Sequence, residues 1–348
     1  GTLMRNDQAV PADLPAVVRD YLAQTASIAA HHPETVARGQ RLFAQHGPEI
    51  LMLLCCYSLP SSYAARKGVT VLHQTAYLAK RPNRRLFETA QMIVDVLSPG
   101  GLDANGRGVR TAQKVRLMHA AIRHLILTSP HVTWDRSDLG TPINQEDLLG
   151  TLMTFSWVIL DGLRRQKIRI APADAQAFLD TWLSIGELMG IEPALLPRSV
   201  AEAGALTAII ERRQIAPSPA GTEMMAALLE MMAHNVPPAF RTVPSSMIRE
   251  FLPADVATFL GVPDHFFERE LLGLVERLTH PLEMFADHEA RRHGVIRAFS
   301  VHLLNAMTTL DLDGQRARFA LPDTLTEAWQ LAPADSEESF WRRLAARA

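Results

Sequence analysis

KVRLMHAAIRHLIL, residues 114–127, contains no proline, no glycine and no sustained alternation of polarity. Its period is that of a helix. At about 100° per residue, Val115, Ile122 and Ile126 fall within about 60° on one side of His119, and Arg116 and Arg123 within about 60° on the other. His119 therefore borders an apolar stripe, with a guanidinium one turn before and one turn after it, while His124 points to the opposite face.

Outward from this stretch the chain keeps the same character. Segments rich in Val, Ile and Thr with alternating polarity hardly occur, whereas Ala, Leu, Met, Arg and Glu recur at helical spacing. The sequence predicts an all-α fold. Before the proline-rich break Ala216-Pro217-Ser218-Pro219, helices are expected over 14–29, 33–46, 48–57, 69–78, 83–97, 108–127, 144–164, 172–189 and 199–214. After it they are expected over 221–234, 245–251, 253–260, 265–278 and 288–310. In GTPINQEDLLG (140–150), Asn144 is placed to cap a helix, with Glu146 and Asp147 set against its positive end. One compact unit over 1–348 is expected, because the later helices are too apolar to stand exposed. A division, if made, falls at the proline break, into 1–215 and a C-terminal helical cap at 221–348.

Composition narrows the classes. With 348 residues, 47% of them hydrophobic and 21% charged, the chain can bury a sizeable core and is neither disordered nor fibrous. Thirty-five Lys and Arg against 37 Asp and Glu give no electrostatic reason to expect a nucleic-acid partner. The two cysteines, Cys55 and Cys56, are adjacent, which suits neither an ordinary disulfide nor a CxxC metal site, so they read as small core residues. The longest apolar run, Ile50 to Tyr57, is too short to span a bilayer, so no transmembrane segment is expected. A soluble protein follows, cytoplasmic in preference to exported. The leading Gly1-Thr2 still leaves room for an export signal removed earlier.

The familiar catalytic signatures HExxH, GxSxG, GxxxxGK[ST] and GxGxxG are absent. Attention falls on His119. An imidazole between an apolar surface and two guanidinium groups suits an axial ligand of haem, whose porphyrin covers the apolar residues while Arg116 and Arg123 pair with propionates. The alternative is a hydrogen-bonded histidine with a purely structural role, and spacing leaves both open. A second helix, RRLFETAQMIVDVL (84–97), sets Arg85, Glu88, Thr89 and Met92 on one stripe among largely apolar positions. Such a stripe either lines a polar cavity or forms an exposed face with an ion pair. Met224, Met225, Met231 and Met232 read as deformable core or pocket lining, and Arg291, Arg292 and His293 as a solvated turn.

KVRLMHAAIRH, the Trp134-containing link, GTPINQEDLLGTLMTFSWVILDGL (140–163) and WLSIGELMGIEPALLP (182–197), in that order, resemble the latex clearing protein family of haem oxygenases. That family also includes the fungal oxygenase that trims a farnesyl side chain in mycophenolic acid biosynthesis. The resemblance runs from about Tyr63 to Leu196, with a looser extension through RFALPDTLTEAW (318–329). It implies a globin-like helical core around b-type haem, with additional N- and C-terminal helices. It implies His119 as the proximal iron ligand, from the family's HAxxR motif. It also implies Arg85 and Thr89 on the distal side near dioxygen, because RLFET (85–89) aligns with the family's Arg-x-x-Lys-Thr. Glu88 departs from that pattern: it stands where rubber-cleaving members carry Lys, and the stretch Gly68 to Thr70 lacks their upstream distal glutamate. Glu88 is then the group left to act as acid or base. The expected activity is attack by dioxygen on an apolar, unsaturated, isoprenoid-like small molecule or polymer. Two other classes share parts of this expectation, a haem protein that senses a gas or handles peroxide, and a haem-free helical interaction protein.

Overall fold

The computed structural model describes residues 14–26, 33–79, 82–104, 106–234, 241–264, 311–312, 315–316 and 322–329. The described chain is all-α, save one antiparallel pair of two-residue strands, β1 Asp311–Leu312 and β2 Gln315–Arg316. The helices before the middle of the chain are α1 Ala16–Ala26, α2 Pro33–Leu53, α3 Leu59–Ala64, α4 Arg66–Ala79, α5 Pro82–Leu97 and α6 Arg107–Thr128. There follow α7 Arg136–Leu139, α8 Gln145–Phe155, α9 Trp157–Arg165, α10 Pro172–Met189 and α11 Val200–Gln214. After the proline break come α12 Pro219–His234, α13 Val243–Phe251, α14 Ala254–Phe259 and, near the C-terminus, α15 Asp323–Ala328. The helices expected over 265–278 and 288–310, and the Arg291-Arg292-His293 turn, lie outside the described residues.

Local chemistry sets several boundaries where the sequence placed them. Helix α10 starts with Pro172 in its first turn and stops at Gly190, whose φ of +94° is left-handed. At the start of α8, the Asn144 side chain accepts from the Glu146 and Asp147 backbone N–H groups, and the Asp147 carboxylate accepts from the Asn144 N–H. One expectation needs correction. The single helix over 144–164 is broken at Ser156, whose hydroxyl donates to the Leu152 carbonyl at 2.7 Å and bends the chain between α8 and α9. The expected break between 33–46 and 48–57 is found: His46, with φ of −124° and ψ of 21°, divides α2 into two helical segments meeting at a kink, and the second passes into a π-helical turn, Leu54–Ser58. Pro48 has no N–H to give the Ala44 carbonyl four residues back. That carbonyl accepts the indole N–H of Trp329 at 2.9 Å instead, and Gly47 leaves the room in which the Trp329 ring sits. The kink thus seats the C-terminal α15 against α2.

The main core gathers around α2 and α10, which approach closely because Gly39 faces Ala177 and Thr181 with no side chain between them. The four methionines of α12 are all buried there, and α12 packs on α3 and α4. Cys55 and Cys56 lie buried in the π-helical turn, where loss of water pushes the Cys55 thiol up to about 12. They are inert core groups. Among the described residues no helix is long and apolar enough to cross a membrane.

Candidate functional site

Helices α5 and α6 run side by side, joined by the turn at 98–106. The junction is tightly built. Asp95, 3% exposed, accepts from Thr111 Oγ1 at 2.8 Å, from Gln91 Nε2 at 3.0 Å and from Arg107 Nη2 at 3.3 Å. A pocket of about 100 Å³ lies here, lined by Ser98, Pro99 and Arg107 among others. It is below the usual range for an organic ligand, on the order of 300–1,000 Å³.

Further along α6, His119 is half-buried and its Nδ1 atom is shut off from solvent. The flanking stripe is apolar as expected, though it divides between two clusters. Val115 packs on the main core, while Ile122 and the buried Ile126 join Val71, Ile143 and Trp134 in a smaller one. The arginines on the other flank are engaged with backbone. Arg116 Nη1 donates to the Leu188 carbonyl at 3.2 Å, with its guanidinium lying over Gly190. Arg123 donates through Nε to the Pro142 carbonyl at 3.0 Å and through Nη2 to the Ile143 carbonyl. A guanidinium has five N–H donors, so each retains capacity for a carboxylate as well. Nearby, burial raises the Tyr21 phenol, against the opposing pull of Arg116.

On α5 the expected stripe runs from solvent into the core. Glu88 is exposed, Thr89 half-buried and Met92 buried, and of Arg85 only the position on α5 belongs to the described part. The structure thus places Thr89 and His119 on neighbouring helices. His124 is exposed, in keeping with its place on the far face. Among the described residues there is no group of three His, Cys, Asp or Glu able to hold a bare metal ion. A haem asks less of the protein: one imidazole beside apolar surface, and cationic donors at its edge. His119 with Val115, Ile122, Ile126, Arg116 and Arg123 fits that requirement.

Residues 42–283 match the family model described as ER-bound oxygenase mpaB/B'/rubber oxygenase, catalytic domain. The chain belongs to this family. The matched span contains α5 and α6, and with them every candidate site residue named above. Within the mpaB and rubber oxygenase family, the chain is 26% identical over 265 residues to a rubber oxygenase of Streptomyces sp. (strain K30), an alignment that takes in 74% of this chain and 63% of that protein. Its fold is similar to that of latex clearing protein in the closed state, with a TM-score of 0.73 and 21% identity over 92% of this chain and 87% of that one.

Sequence reasoning did not reach the acceptors of the two arginines. The carbonyls of Pro142, Ile143 and Leu188 belong to the backbone and leave no residue-type signature. Gln145, which lies between them, was hidden inside a motif that reads fully as a helix cap.

Proposed function

We propose that this chain is a haem b-dependent oxygenase acting with dioxygen on an apolar, unsaturated, isoprenoid-like substrate. Cleavage of a carbon–carbon double bond is the proposed reaction. The observation that carries this reading is His119: one imidazole on α6, between apolar residues and two guanidinium groups, beside the α5 helix of Arg85 and Thr89, in a member of an oxygenase family. The Streptomyces rubber oxygenase supports the apolar polymer as one substrate type.

Bound haem would supply the activation of dioxygen. His119 would hold its iron from one side, with Arg116 and Arg123 turning spare N–H donors toward the propionates. Arg85 and Thr89 would donate hydrogen bonds to the negative charge that develops on oxygen. Glu88 would move a proton to or from the substrate. Adding both oxygen atoms across one double bond gives two carbonyl fragments, with no reductant consumed.

The first test is the absorption spectrum of purified protein with and without His119→Ala. Wild type is expected to carry a Soret band and the variant to lose it; a normal haem spectrum in His119→Ala overturns the ligand assignment. On α5, Arg85→Ala is expected to retain haem and to change the spectrum of the carbon monoxide complex. Incubation with a terpenoid panel under oxygen, read by mass spectrometry, should yield aldehydes or ketones. A haem protein that yields none is a gas sensor or peroxide enzyme instead.

A further inference from the structure

We propose that Gln145 is a positioning residue for the His119 helix, because it closes a ring of hydrogen bonds that grips α6 on both sides of the imidazole. The ring is a matter of geometry alone. Its bearing on haem rests on the function proposed above.

Between Lys114 and Thr128 only Ile126 is buried, with Val115 and Ile122 packed at the edges of the two clusters, so apolar contacts hold α6 along one edge and do not by themselves lock its rotation about its axis. Polar bonds do this instead, three residues before His119 and four after. Arg116 holds the carbonyl of Leu188, in the last turn of α10, where helix carbonyls have no partner within the helix. Gly190 is needed twice at this place. Its φ is +94°, and a Cβ there would stand 3.1 Å from the Arg116 guanidinium.

Arg123 holds two successive carbonyls, Pro142 and Ile143. Successive carbonyls of extended chain point to opposite sides. Here Ile143 adopts φ of +55°, a conformation that β-branched residues rarely take, and both carbonyls meet one guanidinium. The loop is held against that cost from every side. Trp134 Nε1 donates to the Gly140 carbonyl at 2.8 Å, and Asn144 Nδ2 donates to that of Thr141 at 3.0 Å. Gln145 then ties the two gripping points together. Its Nε2 donates to the Gly190 carbonyl at 3.0 Å, and its Oε1 accepts from the Glu192 N–H at 3.0 Å. The circuit α6, Arg116, the end of α10, Gln145, the 140–144 loop, Arg123 and α6 is complete.

Gln145→Leu removes both bonds with little change of volume. In haem-free protein, hydrogen–deuterium exchange is expected to rise about tenfold over 116–123, with the buried α2 and α10 amides unchanged. In haem-loaded protein the Soret band should persist, while the ferric electron paramagnetic resonance signal shifts or broadens. Gln145→Glu supplies a second variant. Once protonated, its carboxyl can again donate to Gly190 and accept from Glu192, so acid pH should return it toward wild type measured at the same pH. Glu146, Asp147, Glu187, Glu192, Arg116, Arg213 and Lys67 are charged groups on the elements around it, and they are common to both proteins. Unchanged exchange in Gln145→Leu overturns the ring. Raised exchange with an unaltered loaded spectrum overturns the positioning role. Wild type with no Soret band overturns the haem reading, and exchange then decides the ring by itself.

Discussion

Helices α5 and α6 carry the two halves of the candidate site and are held by different forces at their two ends. At the junction, Met92 to Leu97 of α5, Ser98 after it and Gly108 to Gln113 of α6 are buried, and Asp95 is bonded across the gap. Toward Glu88 on one helix and His119 on the other, burial thins out, and guanidinium–carbonyl bonds take over on α6. Burial is strong and undirected, whereas hydrogen bonds are weaker and specific in angle. Stability therefore resides at the junction, and orientation at the site.

Breaking this contrast begins with Asp95. Asp95→Ala takes away an acceptor of the Thr111 hydroxyl and of the Gln91 amide, and the carboxylate beside the 40% exposed Arg107 side chain, at a cost of about 2 kcal/mol. Chemical denaturation should show a large fall in midpoint, while the folded variant keeps the Soret position of wild type. A spectrum that moves as much as the stability would erase the division between the two ends.

The second prediction concerns Asp147, which holds the loop that Arg123 grips. Burial first, and then the neighbouring Glu146 charge, raise its carboxyl to about 6, against the lowering effect of the Asn144 and Ile143 N–H groups. The unfolded chain releases this proton near 3.8, so between about 4 and 6 the folded state binds the extra proton. The stabilisation is present at lower pH and disappears as pH rises through 6. Asp147→Asn keeps an acceptor for the Asn144 N–H and removes the titration. At pH 7 it should be more stable than wild type by about 1 kcal/mol, trimmed from the full linkage value because the half-buried group keeps some water. That advantage should vanish below pH 4. An advantage independent of pH would show that the carboxylate is not the titrating group.

The elements were legible wherever a side chain announces a boundary. Pro172 with Gly190, and Asn144 with Asp147, define helix ends in the sequence because their chemistry is local. The break at Ser156 and the π-helical turn at Leu54 were not legible, since both depend on what packs alongside. The site divides in the same way. Periodicity put His119 beside Val115, Ile122 and Ile126 and put Arg116 and Arg123 opposite, which is the arrangement found. Periodicity could not tell that the arginines reach backbone carbonyls on α10 and the 140–144 loop, because an acceptor carbonyl belongs to every residue type. Nor could it decide the environment of Glu88, which depends on the neighbours of α5 and not on its own stripe.

The smallest effect is the sharpest in sign. Ile143 and Ile126 sit in one apolar cluster and are similarly buried, but Ile143 has a left-handed backbone while Ile126 is helical. Truncating either to Ala or Gly removes the same packing, so the difference between Ala and Gly at each position isolates the backbone. At 126, Gly should be less stable than Ala by roughly 0.5–1 kcal/mol, the ordinary penalty in a helix. At 143 the order should reverse by a similar amount, because glycine alone accepts positive φ without strain. Equal rank order at the two positions would mean that the loop relaxes out of its left-handed turn once Ile143 is gone. Arg123 would then be expected to lose one of its two carbonyls, and α6 its grip on the side of His119 nearest that loop.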